Sequence, residues 1–228
     1  MNAKGGCGKT TVAANLASYC ASQGYATALF DYDPQGSSTR WLKTRTEDYP
    51  AIRGVAAYEP PKAGITRSWQ LRIPQQTRYV IRDTPAGYSG IELEDRVHES
   101  DLILIPVLPS VIDMHSTANF IRDLLLIGKA RARGKQIAII ANRTRIRTRS
   151  MIKLERFLRN LDIPVIAQIR DTQNYVQAAE QGIGVCELAD SAAQRDSAPW
   201  AHILDWIQQN DRENDSFATP VSQAMPYA

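Results

Sequence analysis

Lys4-Gly5-Gly6-Cys7-Gly8-Lys9-Thr10-Thr11 stands near the head of this 228-residue chain and decides how the rest is read. Glycines at 5, 6 and 8 let the backbone curl so that several N–H groups point inward. The apolar spacing of Val12, Leu16, Tyr19 and Cys20 opens a helix directly afterwards, so the positive end of a helix dipole faces the same space. A cradle of this kind takes phosphate oxygens. Within it Lys9 is placed to reach the outer phosphates, and the Thr10 hydroxyl to complete a Mg²⁺ shell. Gly5, Gly6, Cys7, Gly8, Lys9, Thr10 and Thr11 are therefore the candidate nucleotide-binding residues.

Outward from this loop the chain alternates helix-like and strand-like segments. That is the pattern of a mostly parallel, twisted α/β sheet with helices on both faces. The first helix spans Thr10 to Gln23 and stops at Gly24. Strands are predicted over Tyr25–Phe30, Tyr79–Ile81, Leu102–Val107, Ile137–Ala141 and Pro164–Ile169. Helices are predicted over Gly90–Glu99, Val111–Arg133, Ser150–Leu161, Tyr175–Gln181 and Pro199–Gln209. Thr44 to Gln76, punctuated by Pro and Gly, carries no clear element. Three strands run into polar residues, Asp31, Asp83 and Asn142. Ligands of open parallel sheets sit outside the carboxyl ends of strands, so these three side chains converge on one site. Beyond Asn210 the pattern fades, which predicts one domain over 1–210 and a flexible tail over 211–228.

Composition narrows the alternatives. Hydrophobic residues make up 43% and charged residues 22%, ordinary for a globular chain and too apolar for wholesale disorder. The longest apolar runs are strand-length, so no membrane span is expected, and the first residues lack the apolar core of a secretory signal. Cys7, Cys20 and Cys186 are too dispersed for a disulfide framework or a zinc site, which fits a reducing cytoplasm. The net charge of +3 hides a strong asymmetry. Eleven basic residues against Glu155 alone lie between Lys129 and Arg159, a local balance of +10 that leaves the rest of the chain at −7. Such one-sidedness predicts a polyanionic partner.

The phosphate loop departs from the general GxxxxGK-[ST] form: Ala3 replaces the first glycine, and a second lysine, Lys4, stands five residues before Lys9. In this it resembles the deviant loop, KGGxGKTT, of the ParA/MinD group of P-loop ATPases. Asp31-Tyr32-Asp33-Pro34-Gln35 resembles that group's DxDPQ segment, Asp83-Thr84-Pro85-Ala86-Gly87 its second acidic strand end, and Pro106-Val107-Leu108-Pro109-Ser110 its P-V-x-P-S. Asn142-Arg143 resembles the base-contacting N-[KR], and Asp171 to Ala178 with Gly182 resembles a late segment of the small partition ATPases. The similarity covers about Lys4 to Ile207.

The resemblance implies an ATP- and Mg²⁺-dependent homodimer. Lys4 would reach the partner copy's phosphates, where a cation offsets charge developing in phosphoryl transfer. Lys9 and Asp33 would complete the catalytic set, Asp33 orienting water. Thr10, Asp31 and Asp83 would serve the metal, Gly87 would pivot a switch loop, and Asn142, Arg143 and Asp171 would border the base. The resemblance further implies non-specific double-stranded DNA as partner of the ATP-bound dimer, with Arg145, Arg147, Arg149, Lys153 and Arg156 as candidate contacts. It also implies a ParB-like or other adaptor that stimulates hydrolysis, and a nucleoid-associated protein of the cytoplasm. The cargo would be a plasmid, a chromosome locus or a protein microcompartment. A membrane-associated, MinD-type positioning ATPase is the alternative. It calls for a basic amphipathic C-terminal helix, whereas Asp211–Ala228 contains Pro220 and Pro226 and has no such face.

One departure bears on the fold. In the group a hydrophobic strand precedes the loop and lies mid-sheet, but only Met1, Asn2 and Ala3 precede Lys4 here. The expectation is a sheet lacking its usual first strand, either because the chain begins late or because the loop is poorly anchored, with a late start the favoured explanation.

Overall fold

The structure is a computed structural model that describes residues 1–189 and 193–217, with side chains as far as Asp211. Its strands form two three-stranded parallel sheets, ordered β2-β1-β3 and β4-β5-β6. The first holds β1 (Thr27–Asp31), β2 (Ile52–Ala56) and β3 (Tyr79–Asp83). The second holds β4 (Leu102–Val107), β5 (Gln136–Thr144) and β6 (Val165–Arg170). Among the described residues no strand joins them.

Helix α1 (Lys9–Ser22) ties the halves together. Its run from Val12 to Ser18 is buried on every side, and small residues (Ala13, Ala14, Ala17) let it lie close to the strands. Val12, Leu16 and Cys20 share one core with Tyr79 and Ile81 of β3, Leu102 and Leu104 of β4, and Ile140 of β5. Trp200, Ile203, Leu204 and Ile207 of helix α8 (Gln194–Phe217) close that core. The alternate residues Ile103, Ile105 and Val107 of β4 and Ile137, Ile139 and Ala141 of β5 point the other way. They meet α4 (Gly90–His98), α5 (Val111–Leu126) and α6 (Arg149–Arg159) in a second core. Helices therefore cover both faces, as the alternating pattern implies.

The unassigned stretch 44–76 holds β2 and a single helical turn, α3 (Arg67–Gln70). β2 is an edge strand whose sequence, Ile-Arg-Gly-Val-Ala, buries only Val55 fully, so its periodic signal is weak. Helix α2 (Ser37–Thr44) precedes it. The helix expected over Val111–Arg133 ends at Leu126. Gly128 lies against the Leu124 carbonyl, where an added Cβ would stand 2.8 Å away, and the chain turns there. The last helix, expected from Pro199, begins at Gln194, with Asp196 in its first turn. It runs to Phe217, so the first residues of the expected tail are helical, and 218–228 lie outside the described residues. Helix α7 (Asn174–Glu180) follows β6 as expected.

Candidate nucleotide-binding site

Two asparagines anchor the phosphate loop. Asn2, 3% exposed, donates from Nδ2 to the Pro106 carbonyl of β4 (2.8 Å) and to Thr117 Oγ1 of α5 (3.2 Å), and its Oδ1 accepts the Lys4 N–H. Asn142 donates from Nδ2 to the Cys7 carbonyl (2.8 Å), and its Oδ1 accepts the Arg143 N–H (2.9 Å). A bulge aims Asn142 there. Ala141 to Thr144 of β5 oppose only Gln168 to Arg170 of β6, one residue fewer, and the surplus is accommodated with Arg143 at φ 49°. Gly8, at φ 93°, sits under the same amide, so a Cβ would lie 2.1 Å from Asn142 Nδ2. Sequence reading places Asn142 against the base; in the structure its amide braces the phosphate loop.

Gly5 and Gly6 are exposed at the bend, Cys7 is buried, and Lys9, Thr10 and Thr11 form the first turn of α1. The Lys9 ammonium donates to the Lys4 carbonyl at 2.9 Å, within the loop itself. The Lys4 ammonium turns outward to Asp113 Oδ2 of α5 at 2.9 Å. Sequence reasoning misses Asp113 because an acid at this position looks like ordinary helix-start chemistry. Ser110 is the N-cap, and its hydroxyl accepts the Asp113 N–H. Yet Asp113 is 4% exposed, and its other oxygen, Oδ1, is buried without a partner.

The acidic strand ends converge as expected, with Asp31 and Asp83 in register on neighbouring strands. Their surroundings differ. Asp31 accepts the backbone N–H groups of Asp33 (3.1 Å) and Thr39 (2.9 Å), and so clamps the loop that carries Asp33. Asp33 is half-buried, and its Oδ1 accepts the Gln35 N–H. Asp83 is 1% exposed and neither carboxylate oxygen has a hydrogen-bond partner. Burial pushes its pKa up to about 6; the adjacent Thr10 and Ser38 hydroxyls pull it down, and the Asp31 charge adds to the rise. An orphaned buried carboxylate beside a threonine hydroxyl fits a hard cation such as Mg²⁺. Such an ion is ordinarily held by one or two protein oxygens, with phosphates and water completing its shell. Gly87, the expected pivot, stands at φ 86° in the loop after Asp83.

At the far side Asp171 meets the end of β5, the strand that carries Asn142 and Arg143. Its N–H donates to the Thr144 carbonyl, and its carboxylate pairs with Arg145 at 2.6 Å. Arg145, expected on the DNA surface, is thus paired with Asp171, which is expected to border the base. Of the eleven basic residues between 129 and 159, Lys129, Arg131, Arg133 and Arg145 have acidic partners. The other seven, Lys135, Arg143, Arg147, Arg149, Lys153, Arg156 and Arg159, make no ion pair among the described residues. Arg147 is held at φ 62°, a strained conformation for a side-chain-bearing residue, at the exposed tip of the loop.

Parallel strands, a glycine loop at a helix start and carboxylates at the strand ends define a P-loop nucleotide-binding domain of the deviant, two-lysine kind. The chain belongs to the CobQ/CobB/MinD/ParA nucleotide-binding domain family, whose model matches residues 1–185. It is 28% identical over 188 residues to the maintenance of carboxysome distribution protein A of Halothiobacillus neapolitanus, covering 82% of this chain and 85% of that protein. Among solved structures it resembles the ATP complex of a Cyanothece McdA variant, with TM-score 0.65 and 18% identity over 91% of this chain and 94% of that one. It also resembles the septum site-determining protein MinD complexed with Mg-ADP from Pyrococcus horikoshii, with TM-score 0.66 and 17% identity over 91% and 95%. No described helix is long and apolar enough to cross a membrane.

Proposed function

We propose that this chain is an ATP-hydrolysing positioning protein of the cytoplasm. It forms a homodimer with ATP, rests on nucleoid DNA without sequence preference in that state, and leaves when an adaptor protein stimulates hydrolysis. The observation that carries this reading is the placement of Lys4. Its ammonium lies outside its own loop, a third exposed at the mouth of the site, while Lys9 stays within. A second cation so placed serves a neighbouring copy's triphosphate better than its own. Mg²⁺, held from Thr10 and Asp83, would neutralise charge on the phosphates. Asp33 would then orient water from a loop that Asp31 keeps rigid.

The unpaired cations Arg147, Arg149, Lys153 and Arg156 supply a surface for DNA phosphates, and Arg145 borders it. Similarity to the carboxysome distribution protein over most of both chains favours a protein microcompartment as cargo. The test is DNA retention with ATP, ADP or no nucleotide across a salt series, for the wild type and for Lys4→Ala and Asp33→Ala. ATP-specific, salt-sensitive retention that Lys4→Ala abolishes is expected. Equal retention in all three nucleotide states would sink the switch.

A further inference from the structure

Asp196 has no part in the phosphate end of the site, yet it is a densely used carboxylate. Its side chain is fully buried (0% exposed) in the first turn of α8. An aspartate there ordinarily caps its own helix. This one instead takes Arg170 Nε on Oδ1 (2.8 Å), and Thr172 Oγ1 (3.0 Å) and Asn174 Nδ2 (2.8 Å) on Oδ2. Its backbone carbonyl accepts the Tyr175 hydroxyl at 3.1 Å, and the Tyr175 ring meets Trp200 of α8 edge-on. Every one of these donors belongs to the six-residue segment that leaves β6 and enters α7.

That segment alternates. Thr172 and Asn174 turn inward onto Asp196, and Asp171 and Gln173 are left exposed on the other side. Its outer side lies at the carboxyl end of β6, fastened to β5 by Asp171 N–H to Thr144 O, and β5 carries Asn142, which touches the phosphate loop at Cys7. Ligands of parallel sheets lie outside the carboxyl ends of the strands, so a nucleotide whose phosphates fill that loop has the ends of β5 and β6 open to its base. We propose that Asp196 is the positioning residue of the base pocket: it fixes the register of Asp171–Gln173 from behind, and so sets how much the adenine ring adds to binding. The inference rests on the nucleotide reading above and adds a residue that contacts no part of the ligand.

The test separates base from phosphate. Affinities for Mg-ATP and for Mg-tripolyphosphate, which has no base, are measured by calorimetry on the full chain carrying Asp196→Ala, Asp196→Asn or Thr172→Val, with thermal melts alongside. The wild type should prefer ATP over tripolyphosphate by about tenfold or more, as one or two well-placed base contacts give. Asp196→Ala should erase most of that preference with tripolyphosphate affinity unchanged. Asp196→Asn, which retains one acceptor, should fall between. Thr172→Val removes a single inward donor with little change of shape, and should lower the ATP preference by a few-fold even if Asp196→Ala fails to fold. ATP and tripolyphosphate affinities falling together, or a preference that none of the folded variants moves, overturns the proposal while leaving nucleotide binding intact. A wild type that binds neither ligand defeats the nucleotide reading itself.

Discussion

Lys4 Nζ stands 2.9 Å from Asp113 Oδ2, so the lysine that distinguishes this phosphate loop is neutralised within its own chain by the first turn of α5. The pair is asymmetric, with the ammonium a third exposed and the carboxylate nearly buried. To meet a phosphate on another copy, Lys4 must leave Asp113, and the ion pair then opposes dimerisation.

Asp113→Asn should therefore favour the ATP-bound dimer. Half-exposed pairs of this kind contribute about 1 kcal/mol each, and a symmetric dimer opens two of them, which corresponds to about a thirtyfold lower protein concentration at the dimerisation midpoint. Sedimentation velocity with a non-hydrolysable ATP analogue measures this directly. An unchanged or raised midpoint would mean that the pair does not hold Lys4 back.

Gly8→Ala should abolish nucleotide binding, because the new methyl would meet the Asn142 amide and the φ of 93° is unfavourable for alanine. Asn142→Ala should weaken binding by about tenfold, through loss of the Cys7 hydrogen bond that holds the loop in shape. Calorimetric titration with Mg-ATP checks both.

Asp83 gives the ligand-free protein a pH signature. Its folded pKa, about 6, lies above the ordinary 3.8, so the folded state holds a proton that the unfolded chain has released between those values. Stability from this group is fully present below about pH 4 and is lost as pH rises through 6, a change of up to about 3 kcal/mol. Asp83→Asn should raise the melting temperature of the apo protein at pH 7.5 and flatten its pH dependence between about 4.5 and 7, while weakening Mg-ATP binding.

DNA affinity, measured as log Kobs against log salt, should lose about 0.9 of slope for each phosphate contact removed. Replacing Arg147, Arg149, Lys153 or Arg156 singly by Ala should produce decrements of that size. Arg131→Ala should not, because that guanidinium is paired with Asp162.

Much of this fold is legible in the sequence. Strong apolar runs such as Leu102–Val107 fall where expected, and the polar strand ends do gather around one loop. What sequence reading misses depends on partners far apart in the chain. Asn2 and Asp113 look like a bare N-terminal residue and a routine helix-start acid until the fold brings β4, α5 and the loop together. Asp196 is likewise invisible, since its donors lie more than twenty residues away, from Arg170 to Tyr175. β2 is missed because an edge strand buries little and so carries little alternation.

Helix α1 has a mechanical office. It is a buried rod against which β1, β3 and β4 all rest, and the nucleotide pocket caps its end. Occupancy should stiffen both sheets at a stroke, so hydrogen exchange in β3 and β4 should slow together when ATP binds.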